Sequence, residues 1–201
     1  MHRRRLLQAG LAGFRAAAFA GVLWQRMFAT AAPSVEGPYD ALRSADANGV
    51  DPPAGVTSRI VARSGHPAPG TGYDWHRAPD GGACFADGAG WIYVSNSEVP
   101  AVGGASAVRF AADGSVVAAY RILGRDRRQL RRGPLGTWLS CQGVSHGRVF
   151  ETDPHGRRPA REHLAMGRLK HEAATCDPDR RVVYLTEGEE DGCFYSFAPD
   201  V

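Results

Sequence analysis

The sequence predicts an all-β chain, a β-propeller with about three blades present as a partial ring. Three observations carry that expectation. Gly 25 and Pro 13 punctuate the 201 residues too often for a helical bundle, while 43% hydrophobic residues leave material for a core. β-Branched and aromatic residues fall in short runs divided by Gly or Asp turns. Finally, the chain repeats itself: displaced by 91 residues, 80–98 lies on 171–189 without a gap. A third copy, shorter at its front, sits between them as Gly136-Thr-Trp-Leu-Ser-Cys-Gln-Gly143. Tyr93, Trp138 and Tyr184 stand 45 and 46 residues apart, and each copy closes on Phe-x-x-Asp (Phe110 and Asp113, Phe150 and Asp153, Phe197 and Asp200). A period of about 45 residues with several strands per unit is that of a propeller blade. A β-sandwich with coincidental spacing is the competing architecture.

Taken in order, residues 1–32 read as a twin-arginine-like signal peptide. His2-Arg3-Arg4-Arg5 runs into Leu6-Leu7 and a small apolar stretch that Arg15 interrupts, ending Ala29-Thr30-Ala31. The protein is therefore expected to be exported, periplasmic or extracellular, with residues 33–201 forming the partial propeller. No run reaches the roughly 18–20 apolar residues of a membrane span. The net charge of +3 rests on the three N-terminal arginines, which leaves no nucleic-acid footprint. Strands are expected at 91–95, 105–110, 116–122, 138–141, 148–152, 182–186 and 193–197. Three repeats fall short of the roughly 4–8 blades of a closed ring. The expectation is an N-terminal fragment, or a second chain completing the propeller.

The repeat also nominates a site. Asn96, Cys141 and Glu187 are equivalent positions, each following a Ser or Thr at the end of its aromatic strand. Residues related by rotation about a propeller axis lie equally far from it, so an amide, a thiol and a carboxylate would converge. Carboxylate and amide oxygens suit calcium-like cations, and a thiolate suits iron, copper or zinc. Glu98 and Glu189 are equivalent two residues on, and Glu172 replaces Gly81 of the related copy. The plainer alternative makes Cys141 a small buried hydrophobe and Glu187 a solvated turn residue. His76 is a ligand or a packed core ring. Lys170-His171-Glu172 is no dyad, because neighbouring strand residues point to opposite faces. The basic run 125–132 is a solvated loop or an anion site. Cys84, Cys141, Cys176 and Cys193 are spaced 57, 35 and 17 apart, which specifies neither a zinc ribbon nor a disulfide framework.

Several strings together resemble the PhoX-type alkaline phosphatases: Gly37-Pro-Tyr39, Asp46-Ala-Asn-Gly49, Val61-Ala-Arg-Ser-Gly65, Pro69-Gly-Thr-Gly-Tyr73, Trp75-His76, Pro79-Asp-Gly-Gly82, Trp91-Ile-Tyr-Val-Ser-Asn-Ser-Glu98, Tyr120-Arg-Ile-Leu123, Gly136-Thr-Trp-Leu-Ser-Cys141 and Lys170-His-Glu172. The resemblance runs from residue 37 to the end. It implies export by the twin-arginine route, a β-propeller fold, and hydrolysis of phosphate monoesters by iron and calcium in a central channel. By position it makes Cys141 the thiolate ligand to iron, Glu172 a carboxylate ligand of the cluster, and Asn96 a polar residue at the phosphate or calcium. Asn96, Cys141 and Glu172 are thus the catalytic candidates; Cys141, Glu172, Glu187, Asn96 and Glu98 are the metal candidates. The family usually carries two acids after the cysteine, where Gln142 and Gly143 stand here, and an acid where Gly188 stands. Each change removes an anionic oxygen, which weakens calcium most. A truncated or impaired phosphatase is expected; the alternative is a non-catalytic exported propeller remnant that binds a partner or pairs with itself.

Overall fold

The computed structural model describes residues 38–124 and 136–198. The signal segment 1–32, its boundary at 33 and the basic run 125–132 lie outside them. Two compact units divide the chain, Met1–Arg59 and Ile60–Val201.

In the first unit an isolated bridge joins Leu42 to Pro53. The Asp46 carboxylate closes the intervening turn by accepting from the Asn48 and Val50 amides and the Ser58 hydroxyl. Gly49, at φ 76°, supplies the left-handed residue that turn requires.

The second unit is all-β. Among its described residues there is no α-helix, only a 3-10 turn at Leu164–Met166. Strands β1 (Pro79–Asp87), β2 (Gly90–Ser97), β3 (Gly104–Phe110) and β4 (Val116–Leu123) make an antiparallel four-stranded sheet in sequence order. β5 (Trp138–Cys141), β6 (Val149–Thr152) and β7 (Arg161–Glu162) make a second sheet. β8 (His171–Asp177), β9 (Val182–Glu187) and β10 (Phe194–Phe197) make a third, in the order β10-β9-β8. All seven strands expected from the runs of branched and aromatic residues are present. β1 was not legible as a strand, because Pro79-Asp-Gly-Gly-Ala-Cys-Phe-Ala-Asp87 contains no β-branched residue. β7 has two residues and no hydrophobic signature.

The Phe-x-x-Asp string has a local cause. Phe110 ends β3, and the Asp113 carboxylate then accepts from the Ser115 amide and hydroxyl at 2.9 and 2.7 Å. After β6, Asp153 does the same for the His155 amide at 3.0 Å. Each aspartate closes the turn at which its strand ends. On this register β2, β5 and β9 are equivalent, as are β3, β6 and β10.

The core lies between and beside the sheets. Ile92, Val94, Ala105, Ala107 and Ile122 bury one face of the first sheet, with Trp138 of the second sheet packed on them. Its other face carries Val108 and Phe110, covered by Val61, Ala62, Tyr73 and Trp75. Val149, Met166 and Leu185 join the second sheet to the third. The Tyr120 hydroxyl donates to the Pro154 carbonyl at 2.9 Å, a polar tie between the first two sheets.

Candidate functional site

Two matched irregularities shape the site. In β1, Pro79 pairs with Ser97 but Gly82 with Ser95, so one extra residue is held in a bulge at 80–81. In β8, His171 pairs with Glu187 but Ala173 with Thr186, so Glu172 is the extra residue. Displacement by 91 places Gly81 on Glu172, and both first strands bulge at the same repeat position. A bulge turns the local side chain away from the pleat and is common beside functional sites. Here it leaves Glu172 exposed while His171 next to it is 1% exposed. Gly188 fits this arrangement: a Cβ there would lie 2.7 Å from Glu172 Oε2. The missing side chain makes room for the Glu172 carboxylate.

β5 is a strand with two occupied faces, as alternation along a strand requires. Trp138 and Ser140 face the first sheet. Trp138 Nε1 and Ser140 Oγ both donate to Asn96 Oδ1, each at 2.9 Å. Leu139 and Cys141 face the third sheet and pack against the cluster of Val149, Met166 and Leu185. Burial pushes the half-buried Cys141 thiol up to about 11, and the Glu172 carboxylate adds to the shift. Cys141 is therefore both part of the apolar seam and under the influence of a carboxylate.

Glu172 acts in a second direction as well. The Glu98 carboxyl, just beyond β2, is held above its ordinary range by the Asp80 carboxylate first, then by burial and a hydrogen bond shared with Asp80, and finally by Glu172. Asp80, in the β1 bulge, joins the acidic group without having been singled out in the sequence. The signal was present: Asp80 occupies the repeat position of His171, next to the glycine that matches Glu172.

Glu187 is drawn elsewhere. Its Oε2 accepts from the Cys193 amide at 3.2 Å and from the Tyr195 hydroxyl at 3.0 Å, both at the β10 side. The bond to Glu187 is the main cause that pushes the Tyr195 phenol up to about 12. The structure thus links Asn96 to Trp138 and Ser140, and groups Cys141, Glu172, Glu98 and Asp80 electrostatically, while Glu187 belongs to the β9–β10 pair. The His76 ring lies tilted against Trp75, centroids 4.3 Å apart, and approaches Ser95 Oγ at 3.4 Å, with burial lowering its pKa. His171 is likewise depressed by burial, and neither ring nitrogen has a hydrogen-bond partner among the described residues.

A cation suits the grouped donors chemically. Burial first and the Glu172 charge second raise Cys141, while the Asp80 charge is the main cause that raises Glu98, and a nearby cation would oppose both shifts. Oxygen donors suit calcium and the sulfur suits iron. Among the described residues, no three His, Cys, Asp or Glu side chains stand together so as to hold a metal ion. The four cysteines are free thiols. No helix among the described residues is long and apolar enough to cross a membrane.

Residues 111–201 match the family model described as alkaline phosphatase PhoX, a family of metal-dependent phosphatases. The matched stretch contains Cys141, Glu172 and Glu187 and leaves out Asp80, Asn96 and Glu98. Neither the search of curated proteins nor that of solved structures gave a match.

Proposed function

We propose that this chain carries a metal-dependent phosphomonoesterase site of the PhoX kind, built on three blades of a partial β-propeller in an exported protein. The observation that carries the reading is the position of Glu172. The β8 bulge leaves this carboxylate exposed, Gly188 leaves room for it, and its charge is a secondary cause of the raised pKa of both Cys141 and Glu98. The family match over residues 111–201 spans Cys141 and Glu172. Three successive antiparallel sheets, each containing one of the repeat-equivalent strands β2, β5 and β9, support the propeller.

Cys141, Glu172, Glu98 and Asp80 would hold iron and calcium. Bound there, the ions would supply charge neutralisation at phosphate oxygens and an activated oxygen nucleophile. The chain's own contribution is placement. The β8 bulge and Gly188 direct the Glu172 carboxylate. The seam of Val149, Met166 and Leu185 shields one side of the Cys141 sulfur from water. With Gln142, Gly143 and Gly188 where the family carries acids, calcium is the ion held more weakly.

The test is hydrolysis of p-nitrophenyl phosphate at alkaline pH with iron and calcium supplied. Cys141→Ala is expected to lower the rate by about two orders of magnitude, on the scale seen when a metal site is disturbed. An unchanged rate contradicts the assignment.

A second reading, an exported module that binds or pairs without catalysis, is favoured by one observation. The far face of the third sheet bears a stacked Tyr184–Phe194 pair, ring centroids 5.5 Å apart, with Phe194 exposed. Mass determination in solution separates the two: a dimer without phosphatase activity supports the module, and an active monomer contradicts it.

A further inference from the structure

We propose that Trp138 is a positioning residue that fixes which end of the Asn96 amide the site presents. The inference rests on the phosphatase reading and deepens it.

An asparagine amide has an acceptor end and a donor end of nearly identical shape, and its chemistry depends on which end faces the ligand. Here the choice is made by the neighbour. Indole nitrogen carries a hydrogen and has no acceptor role, so the Asn96 atom 2.9 Å from Trp138 Nε1 is the oxygen. Ser140 Oγ donates to the same oxygen at 2.9 Å. Both lone pairs are then used. Turning the amide over would set an NH2 group against an indole N–H, two donors facing each other in a half-buried place, and would strand the indole hydrogen.

The consequence falls on the other end. Asn96 Nδ2 has no protein acceptor among the described residues, and Asn96 is half-buried at the end of β2. The pinned amide therefore leaves two N–H donors without a protein acceptor among the described residues. A cation requires the oxygen and would have to break the bonds to Trp138 and Ser140. An oxyanion, such as one oxygen of a phosphate monoester, accepts from Nδ2 with both bonds intact. Asn96 thus reads substrate rather than metal, and Trp138, delivered by the second sheet to a residue of the first, makes it do so. The same strand carries Cys141 on its opposite face, packed on the third sheet.

The experiment uses the full chain labelled with nitrogen-15. Its four tryptophans give four indole N–H resonances, and that of Trp138 is the one lost in Trp138→Phe. Calcium is titrated first, alone, and inorganic phosphate second, with iron and calcium present. The expected result is a Trp138 indole resonance that ignores calcium, moves in Asn96→Ala, and stays in Asn96→Asp, whose carboxylate still accepts. Phosphate is expected to shift the Asn96 side-chain NH2 pair. Phosphate affinity should fall about tenfold in Trp138→Phe and severalfold in Ser140→Ala, the cost of one freed hydrogen bond. Asn96→Asp should bind phosphate more weakly and calcium more tightly.

A Trp138 resonance that moves in step with calcium saturation overturns the proposal, because the oxygen has then gone to the cation. So does a folded Trp138→Phe that binds phosphate as well as the parent chain. If Trp138→Phe fails to fold, the calcium titration of the parent chain and Ser140→Ala decide the matter. A parent chain that binds no phosphate overturns the phosphatase reading; a calcium-insensitive indole then still supports the pinned amide.

Discussion

The first and third sheets are repeats of one pattern with opposite surroundings. The first is covered twice. Ile92, Val94, Ala105 and Ala107 face the second sheet, while Val108 and Phe110 are covered from the other side by Trp75 and its neighbours. The third is covered once. Leu185 and Val183 pack towards Val149 and Met166, but Tyr184 and Phe194 stack on each other on the other face, where Phe194 is 70% exposed. Near-identical strand patterns therefore bury different amounts. A β-strand presents two faces, and the layer packed on each decides whether its hydrophobic residues stabilise the fold.

Substitutions break or sharpen that comparison. The largest effect is expected at Ile92, 0% exposed in the doubly covered sheet. Ile92→Ala should cost about 2–5 kcal/mol by denaturant unfolding, the range for deleting a large aliphatic core side chain. Leu185→Ala should fall at the lower end of that range, about 2 kcal/mol, since its sheet is packed on one side and can relax. Phe194 is 70% exposed, and Phe194→Ser should stay within about 0.5 kcal/mol. A Phe194 substitution as costly as that of Ile92 would mean the bare face is covered in solution.

Asp153 gives a pH-dependent prediction. Burial raises its pKa, but the His155 amide and the Arg158 guanidinium together outweigh burial and hold the carboxyl below its ordinary value. A depressed folded-state pKa stabilises above the unfolded pKa and is lost as pH falls through the folded value. Asp153→Asn should therefore cost about 1–2 kcal/mol at neutral pH, with the difference from the parent chain shrinking once pH drops below the usual carboxylate range. A difference constant down to strongly acidic pH contradicts the ion pair as its source. The smallest effect concerns Gly188. Gly188→Ala meets Glu172 Oε2, the mobile end of a side chain, so stability should hardly change while metal affinity falls a few-fold.

Much of the fold was readable because branched and aromatic runs alternate with turn residues. The aromatic strands β2, β5 and β9 declare themselves in sequence and in the 45-residue spacing. β1 does not, since its glycines and small residues form a strand only through pairing with β2; Gly82 is small because a Cβ there would lie 2.3 Å from the Val94 carbonyl oxygen. The site was readable in part for a related reason. Asn96, Cys141 and Glu187 lie on the repeat-equivalent strands β2, β5 and β9, but equal position does not mean equal partners. β5 turns Ser140 towards Asn96 and Cys141 away from it, and β10 brings Tyr195 to Glu187. Asp80 acts through a bulge, which depends on pairing register rather than on residue type.

The proposed metal position would draw on Cys141, Glu172 and Glu98, from three parts of the repeat. Titration of the full chain with ferric iron, followed by visible absorption, tests it most directly, because a thiolate bound to iron gives a charge-transfer band that carboxylates alone do not. A saturable band is expected in the parent chain, absent in Cys141→Ala and weakened in Glu172→Gln. A band of unchanged strength in Cys141→Ala, or no band in the parent chain, would contradict it.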